Sequence, residues 1–484
     1  MMKIIWIALA AMSFSIGALA QPYQPNWKSL NTRGIPAWFS QAKFGIFIHW
    51  GVYSVPSYAP VIPNSGYSYA EWYWYRLKEG NPYFKAFHDK NYGASFRYPQ
   101  FEKQFTADMF DPAAWADLFK KSGAKYVVLT SKHHEGYCLW NSPQADRDWK
   151  RPWNAVTGTP HRDLLGDLTR AVRAEGIKMG YYYSLYEWFN PLWLTDTAKY
   201  VNDHMIPQLK DLVTKYHPSL IFADGEWALP DLGWHSPELL AWMFNDTANN
   251  KDLVVDDRWG SNTRDKNHGC TYSTSEYGSG MEPGVVWEEN RGIGHSYGYN
   301  RNEKVTDYKS SHDLTLLLVD VVSRGGNLLL DIGPTADGRI PVIMQERLLD
   351  IGKWLSTNGE AIYGTTPYSH PHQWSEGPLP TESHKSFMAN YDAAKLVQGK
   401  PGVAHLEYFF TTKGHDLYII VPNFNPSILI KGLQVRLGTR AILLGSKMTF
   451  PCKNAGKNCL IDLSSVHPGQ VPAQLFVLKL KGGI

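Results

Sequence analysis

Short apolar runs alternate with amphipathic helical stretches along residues 40–365, and this alternation limits the possible folds more than any other feature. Buried parallel strands read as continuous apolar runs, whereas the helices that cover them have one apolar face. The clearest apolar runs lie at 44–51, 125–134, 179–188, 219–227, 253–260 and 327–334. The pattern predicts a parallel sheet with helices packed against it.

The stretches between these runs have helix signals. Residues 111–123 begin at Asp111, a favourable N-terminal cap, and end at a glycine. Residues 161–177 and 310–326 have a similar spacing of apolar side chains. Residues 345–367 are typical of a last helix followed by a glycine-rich exit.

The position of the charged residues indicates which parallel fold this is. Nearly every apolar run is free of charge until its C-terminal end, where His, Asp, Glu or Arg follows, commonly beside Trp. The functional site of a (β/α)8 barrel forms at that end of the strands. An open doubly wound sheet often has a glycine-rich phosphate turn, which this sequence lacks. We therefore predict a TIM-like (β/α)8 barrel over residues 21–367.

Beyond residue 367 the pattern changes to short β-rich runs separated by turn residues, with little helix signal. This predicts an antiparallel β-sandwich domain over residues 368–484. Cys452 and Cys459 lie between two of these runs, in PCKNAGKNC. A disulfide that closes this hairpin is slightly favoured over two free thiols.

The first twenty residues are typical of an export signal. Lys3 supplies positive charge, residues 4–16 are largely apolar, and Ala18-Leu19-Ala20 is a small-x-small cleavage site. No stretch approaches a transmembrane length, so we expect a secreted protein, periplasmic or extracellular, without a membrane span. The net charge of +3 gives no reason to expect a nucleic-acid partner. A homo-oligomer remains possible.

Aromatic residues are abundant, with 19 Trp and 28 Tyr, and many lie close to charged residues rather than inside apolar runs. Trp and Tyr combine a flat apolar face with a polar edge, which suits stacking on sugar rings. Part of this surplus fills the core of a large domain. The remainder indicates a carbohydrate-binding surface.

Asp224 follows the apolar residues 220–223, and Gly225 behind it allows a turn. A carboxylate at the end of a barrel strand and next to an aromatic residue fits a glycosidase nucleophile. The alternative is an aspartate that caps a helix or orders a loop. Trp227, three residues later, is a candidate to stack on the substrate.

A retaining glycosidase needs a second carboxyl group about 5 Å from the nucleophile to protonate the leaving oxygen. The candidates are Glu276 in TSEYG and Glu288 or Glu289 in WEENRG. Glu71 and Glu187 each precede a tryptophan and are better suited to binding sugar hydroxyls.

Three histidines, His49, His133 and His134, end the first two apolar runs and could exchange hydrogen bonds with hydroxyl groups when neutral. A metal site is disfavoured, because these three histidines have no HxH or HExxH spacing and adjacent histidines on a strand point to opposite faces. No metal or other cofactor is expected. Arg258 could bind a ring hydroxyl or tune Asp224, unless it forms an ion pair with a neighbouring aspartate.

These motifs together resemble the family 29 α-L-fucosidases over roughly residues 30–367, in order. They are WFSQAKFGIFIHWGVYSVPSYAP, EWYWYRL, FDPAAWADLFKKSGAKYVVLTSKHHEGYCLWNS, DGEW, DDRWG and SRGGNLLLDIGPTADGRI. The resemblance implies a retaining double displacement that releases L-fucose from fucosylated oligosaccharides or glycoconjugates, with Asp224 as nucleophile. The C-terminal part is similar to the accessory sandwich of the family.

The resemblance also implies a set of sugar-binding residues: His49, Glu71, Trp72, His133, His134, Tyr182 and Arg258. Tyr297 lies where the family often has an aromatic residue against the fucose methyl group, and Phe222 stands where some members have Trp. The acid/base of the family varies in sequence. Glu276 matches members with a T-x-E-Y motif and is favoured over Glu288, which matches the W-E motif of others.

Two other functions compete with this hypothesis. One is a non-catalytic, lectin-like fucose-binding protein on a barrel scaffold, which is disfavoured because binding alone needs no matched carboxyl groups. The other is a metal-dependent barrel hydrolase. Turnover of an aryl α-L-fucoside separates the first from an enzyme, and inactivation by a chelator identifies the second.

Overall fold

The computed structural model describes residues 23–483 except 63–67, 247–250, 265, 267, 279–280, 282, 381–390, 467–468 and 473. The predicted export signal at residues 1–20 lies outside the described residues. Within the described part of the chain, no helix is long and apolar enough to cross a membrane.

Eight parallel strands form a closed barrel in sequence order, and β1 pairs with both β2 and β8 to complete it. They are β1 Phe44–Ile48, β2 Tyr126–Lys132, β3 Lys178–Ser184, β4 Leu220–Asp224, β5 Val254–Asp256, β6 Thr271–Glu276, β7 Trp287–Gly292 and β8 Asn327–Ile332. The predicted (β/α)8 barrel is confirmed. β6 and β7 have no counterpart among the apolar runs of the sequence, because their residues are mostly polar.

The α-helices vary from single turns to the 17 residues of the last barrel helix. They are α1 Trp27–Leu30, α2 Ala37–Ala42, α3 Tyr73–Lys78, α4 Pro82–Asn91, α5 Pro112–Lys121, α6 Pro143–Trp149, α7 Leu164–Ala174, α8 Pro191–Thr195, α9 Thr197–Lys199, α10 Ile206–Tyr216, α11 Ser236–Asn245, α12 Ser311–Ser323, α13 Val342–Asn358 and α14 Ala393–Gln398.

The predicted helices form where the sequence supplies caps. The Asp111 carboxylate accepts hydrogen bonds from the backbone N–H groups of the second and third residues of α5, both at 3.0 Å. Asp163 caps α7 and Ser310 caps α12 in the same way. These side chains satisfy N–H groups that have no partner inside the helix, so each helix begins at a defined residue.

The barrel interior is a packed core of large side chains. Residues that alternate along the strands, among them Phe47, Tyr182 and Phe222, fill it towards the C-terminal end. Phe39 of α2 closes the opposite end, where its ring lies 4.4 Å from that of Tyr272. Because the interior is filled, a ligand can enter only from the loops at one end of the barrel.

The C-terminal region is one antiparallel sheet of eight strands in the order β12-β15-β14-β13-β16-β11-β10-β9, curled around its own apolar core. Its strands are β9 Thr366–Trp374, β10 Leu406–Lys413, β11 Asp416–Asn423, β12 Ser427–Ile430, β13 Arg440–Leu443, β14 Thr449–Ala455, β15 Asn458–Asp462 and β16 Gln474–Leu480. The antiparallel, sandwich-like C-terminal region is confirmed. The exact domain boundary at residue 367 stays a prediction.

Helix α12 lies between the barrel and this sheet, and ten of its 13 residues are buried. It packs on β8 of the barrel and on β9 and β10 of the sheet, so it has no solvent-facing stripe. The carboxylate of Asp320 in α12 lies 3.1 Å from Nε2 of His372 in β9. Trp354 of α13 donates a hydrogen bond to the Leu475 carbonyl at 2.6 Å. The two regions are therefore joined by polar as well as apolar contacts.

The expected disulfide between Cys452 and Cys459 is not formed, and both residues are free thiols. The ladder between β14 and β15 pairs Cys452 with Ile461 and Cys459 with Asn454. The cysteines are thus diagonal neighbours rather than a directly opposed pair. A hydrogen bond between the two thiols raises the pKa of Cys452 and lowers that of Cys459.

Candidate active site

A cavity of about 330 Å³ opens at the C-terminal ends of the barrel strands. The site residues predicted from the sequence line it, except the carboxylate candidates Glu187, Glu288 and Glu289. The lining residues are Phe47, His49, Tyr69, Glu71, Trp72, Arg76, His133, His134, Tyr182, Phe222, Asp224, Trp227, Arg258, Arg264, Glu276, Asn290 and Tyr297. Residues from most of the barrel strands and their following loops therefore converge on one pocket.

Asp224 is the last residue of β4, and Gly225 turns the chain away with a φ of 76°, which suits glycine. Its Oδ2 accepts a hydrogen bond from the Tyr182 hydroxyl at 2.7 Å, and its Oδ1 accepts one from Arg258 Nη1 at 2.9 Å. Burial opposes the charge, but Arg258 and the hydrogen bonds from His134 and Tyr182 outweigh it and hold the pKa of Asp224 well below its usual range. Asp224 is therefore a buried carboxylate at neutral pH.

Glu276 is the last residue of β6 and shares the Arg258 guanidinium with Asp224. Arg258 Nη2 lies 3.3 Å from Glu276 Oε2, while its Nε donates to the Thr274 hydroxyl at 3.0 Å. Burial raises the pKa of Glu276, and Arg258 offsets this only in part. The two carboxyl groups around one guanidinium thus have pKa values shifted in opposite directions.

His133 and His134 both face the pocket, and the expectation that adjacent histidines point to opposite faces was wrong. Strand β2 ends at Lys132, so the pleat no longer alternates the two side chains, and their ring centroids are 4.3 Å apart. Burial lowers the pKa of His133 to about 3 and of His134 to about 4. His134 Nδ1 lies 2.5 Å from the Ser184 hydroxyl, and its Nε2 lies 3.4 Å from Asp224 Oδ2. Both imidazoles are neutral hydrogen-bonding groups.

His49 follows β1 and is held by β8. Its Nδ1 lies 2.6 Å from Oδ1 of Asp331, and its backbone N–H donates to the Ile332 carbonyl at 3.1 Å. Burial lowers the pKa of His49, so the ring is neutral. Because Asp331 occupies Nδ1, the Nε2 atom remains for a ligand hydroxyl.

Glu71 lies in a short 3-10 helix, Ala70–Trp72, and is fixed by the loop after β7. Its Oε2 accepts hydrogen bonds from the backbone N–H of Gly298 at 2.9 Å and from the Ser296 hydroxyl at 3.3 Å. Burial raises its pKa to about 7. The carboxyl group can therefore accept or donate a hydrogen bond near neutral pH.

One side of the pocket is an aromatic wall formed by Phe47, Phe222 and Tyr297. The rings of Phe47 and Phe222 are 5.1 Å apart, and those of Phe47 and Tyr297 are 6.5 Å apart. The Tyr297 hydroxyl donates to Asn290 Oδ1 at 2.7 Å, so this ring is fixed in place. The wall offers an apolar surface within an otherwise polar cavity.

Glu288, the second predicted acid/base candidate, is fully buried and lies below the pocket. Its ladder partner in β8 is Asn327, the first residue of that strand, and its Oε2 accepts a hydrogen bond of 2.5 Å from Tyr126, the first residue of β2. Burial raises its pKa to about 8. Glu288 therefore lies towards the N-terminal end of the barrel, whereas Glu276 lies at the opposite end of β6.

The remaining carboxylate candidates do not line the pocket. Glu289 forms an ion pair with Arg291 at 2.5 Å. Glu187, expected to bind hydroxyl groups, is instead buried in a network with Lys132 at 2.8 Å and His204 at 2.8 Å. This network supports the loop that follows β3 rather than a ligand.

Five lining residues were not identified from the sequence. Phe47 and Asn290 each lie two positions from a residue that was identified, His49 and Glu288, so the period-two alternation of a strand could have found them. The other three lie outside the strands, where no periodicity marks them: Tyr69, Arg76 and Arg264. No group of three or more His, Cys, Asp or Glu side chains could hold a metal ion among the residues that the structure describes.

Comparison with known proteins identifies the family of the chain. A family model described as Alpha-L-fucosidase matches residues 10–360. The chain belongs to the alpha-L-fucosidase family. Members of this family are glycoside hydrolases, and the chain is therefore an enzyme of that class.

Curated members of the alpha-L-fucosidase family are similar over much or all of the chain. The chain is 46% identical to the alpha-L-fucosidase of Dictyostelium discoideum over 360 residues, which cover 72% of this chain and 76% of that protein. It is 43% identical to the human tissue alpha-L-fucosidase over 475 residues, which cover 96% and 93% of the two chains.

A solved member of the family has the same fold over both regions. The crystal structure of Thermotoga maritima alpha-fucosidase in complex with a mechanism based inhibitor is 36% identical and superposes with a TM-score of 0.76. The match covers 95% of this chain and 99% of that one. The alpha-L-fucosidase family thus accounts for the barrel and the C-terminal sheet together.

Proposed function

We propose that the protein is a retaining α-L-fucosidase that hydrolyses terminal α-L-fucosyl linkages of oligosaccharides or glycoconjugates. The observation that carries this proposal is the contact of one guanidinium, Arg258, with both Asp224 and Glu276. A retaining glycosidase needs two carboxyl groups about 5–5.5 Å apart, one ionised and one protonated. A shared cation and opposite pKa shifts support that pairing.

In the first step the Asp224 carboxylate attacks the anomeric carbon, and the bond from that carbon to the leaving oxygen breaks. Glu276 gives its proton to the leaving oxygen and becomes a carboxylate. Tyr182 and Arg258 hold the attacking carboxylate through one hydrogen bond to each of its oxygens. These contacts keep Asp224 ionised and oriented before the substrate binds.

In the second step Glu276 removes a proton from water, whose oxygen attacks the anomeric carbon and releases Asp224. The charge of Asp224 contributes to the raised pKa of Glu276. That charge is lost when Asp224 becomes an ester, so the pKa of Glu276 falls at the stage when it must act as a base. One residue can thus serve as acid and then as base.

Fucose is a 6-deoxy sugar, so it presents a methyl group where other hexoses have a hydroxymethyl group. The wall of Phe47, Phe222 and Tyr297 supplies an apolar surface for such a methyl group. The neutral histidines and Glu71 supply hydrogen-bond donors and acceptors for the ring hydroxyls.

Azide rescue tests both catalytic assignments. The variants Asp224→Gly and Glu276→Ala lose activity on an aryl α-L-fucoside, and added azide restores turnover. We expect β-fucosyl azide from Asp224→Gly, because azide attacks from the face that the nucleophile left, and α-fucosyl azide from Glu276→Ala.

Glu288→Ala is the matched control for the acid/base. If it, rather than Glu276→Ala, gives α-fucosyl azide, the assignment of Glu276 is wrong. A wild-type protein that binds fucose but turns over no aryl fucoside would overturn the enzymatic proposal and support the lectin-like alternative.

A further inference from the structure

The pocket changes from fully buried at its inner end to partly exposed at its mouth. Most lining side chains are buried, including both catalytic candidates and the three histidines. The described lining residues that keep more exposure are Tyr69, Trp72, Arg76, Trp227 and Arg264. We refer to these five more exposed lining residues as the mouth residues.

A leaving group must extend through this mouth. If fucose fills the buried part, its anomeric carbon lies between Asp224 and Glu276, and the bond that breaks points away from the inner wall. The first group of the aglycone then contacts the mouth residues rather than the histidines. This step rests on the proposed function.

Trp227 is the most exposed aromatic residue at the mouth, with 45% of its surface accessible. Its ring plane is within 21° of that of Trp72, with centroids 6.5 Å apart, and its centroid lies 5.3 Å from that of His134. The short 3-10 helix that carries it, Glu226–Ala228, is fixed by a hydrogen bond of 2.9 Å from Trp234 Nε1 to the Glu226 carbonyl. An exposed indole on a fixed backbone is a preformed stacking surface.

The two arginines at the mouth each lie near an acidic side chain. Arg76 lies 2.9 Å from a carboxylate oxygen of Glu79, and Arg264 lies 3.9 Å from one of Glu226. The Glu79 carboxylate offsets the charge of Arg76. Burial raises the pKa of Glu226 to about 7, so the charge of Arg264 is offset only in part near neutral pH. The N–H groups of both arginines can still donate to hydroxyl oxygens of a neutral ligand.

We propose that Trp227 forms the subsite for the leaving group and stacks on a pyranose, the sugar to which fucose is attached. The substrate class is then a fucosyl di- or oligosaccharide whose second sugar presents a pyranose face to the indole. Stacking of a sugar face on the indole orients the glycosidic oxygen towards Glu276.

The test compares kcat/KM of the wild type, Trp227→Ala and Trp227→Phe on two substrates. One is α-L-fucosyl fluoride, whose leaving group contains no sugar. The other is the neutral α-fucosyl disaccharide that the wild type cleaves best in a panel of linkages. We expect Trp227→Ala to lower the disaccharide-to-fluoride ratio of kcat/KM about tenfold, the loss of one stacking contact. Trp227→Phe, which keeps an aromatic face, should recover most of that ratio.

Tyr83→Ala is the matched control, because Tyr83 is an exposed aromatic residue on α4 that does not line the pocket. It should leave the ratio unchanged. A ratio that Trp227→Ala does not alter, or an equal loss on both substrates, overturns the subsite. No turnover of the fluoride by wild type instead overturns the proposed function, and the subsite with it.

Discussion

The two ends of the barrel interior both hold buried carboxyl groups, but under different electrostatic conditions. At the C-terminal end, Asp224 and Glu276 share the guanidinium of Arg258. Towards the N-terminal end, Glu288 contacts the neutral phenol groups of Tyr126 and Tyr272. Burial raises the pKa of both Glu276 and Glu288. Only Glu276 has an ionised carboxylate, that of Asp224, beside it.

This difference teaches that burial alone does not make a catalytic carboxyl group. Desolvation favours the protonated form at both ends of the barrel. The cation at the C-terminal end keeps Asp224 ionised in spite of its burial. A nucleophile and an acid can therefore coexist there, whereas Glu288 has the surroundings of a structural, protonated group.

The largest expected difference comes from the same substitution, glutamate to glutamine, made at each end of the barrel. Glu276→Gln should lower kcat/KM on a fucoside with a sugar leaving group by about 10²–10⁴-fold, the usual value of general acid catalysis. Glu288→Gln should stay within about threefold of wild type, because it lies below the pocket. Steady-state kinetics on both variants measures this, and a larger loss for Glu288→Gln would contradict the comparison.

The next largest effect on kcat/KM is expected from removal of the shared cation, Arg258. Arg258→Met should lower kcat/KM about 10²–10³-fold through the lost charge stabilisation. It should also move the acidic limb of the pH profile to higher pH, since the pKa of Asp224 rises when its cation is removed and the ionised form is lost earlier on acidification. The pH dependence of kcat/KM measures the shift. Arg170→Met, an exposed arginine on α7, should change neither quantity.

At the N-terminal end of the barrel we expect a smaller effect, which concerns the free energy of unfolding. The pKa of Glu288 is about 8 in the folded protein and about 4.3 in an unfolded chain. Between these values the folded state binds a proton that the unfolded state has lost, so this residue makes stability fall as pH rises.

Glu288→Gln removes that dependence. Its free energy of unfolding should therefore increase relative to wild type between pH 5 and pH 8, by at most about 1.4 kcal/mol per pH unit. Urea unfolding at several pH values measures this, with the exposed Glu238→Gln as control. If the difference in free energy of unfolding between Glu288→Gln and wild type does not vary with pH, Glu288 is ionised in the folded protein.

The smallest effect is that of one hydrogen bond. Tyr126→Phe removes the donor to Glu288 and should lower the free energy of unfolding by about 1–2 kcal/mol, because a buried acceptor loses its partner. Activity should be unchanged. Tyr83→Phe, at an exposed position, should leave the midpoint of unfolding where it is. If Tyr126→Phe loses activity without losing stability, the hydrogen bond to Glu288 contributes to catalysis and our view of Glu288 as a structural residue is wrong.

The sequence by itself determined the barrel, because continuous apolar strands and capped amphipathic helices form by local rules. It also determined that Asp224, Arg258 and the histidines would meet, since the C-terminal ends of parallel strands lie at one edge of a barrel. The sequence resemblance then indicated the sugar. These conclusions need only strand direction and order.

Only the tertiary structure decided how deep each carboxyl group lies in the barrel. β6 and β7 are polar, so no apolar run marks where they begin and end. The sequence resemblance favoured Glu276 over Glu288, but no local pattern separated the two as strand carboxylates. The ladder sets Glu276 opposite Asn290, at the pocket, and Glu288 opposite Asn327, near the other end. The mouth residues also come from loops and short helices, and their meeting depends on how the whole barrel closes. The depth of each carboxyl group depends on the register of the strands, and the meeting of the loops depends on how the barrel closes. No local sequence pattern encodes either property.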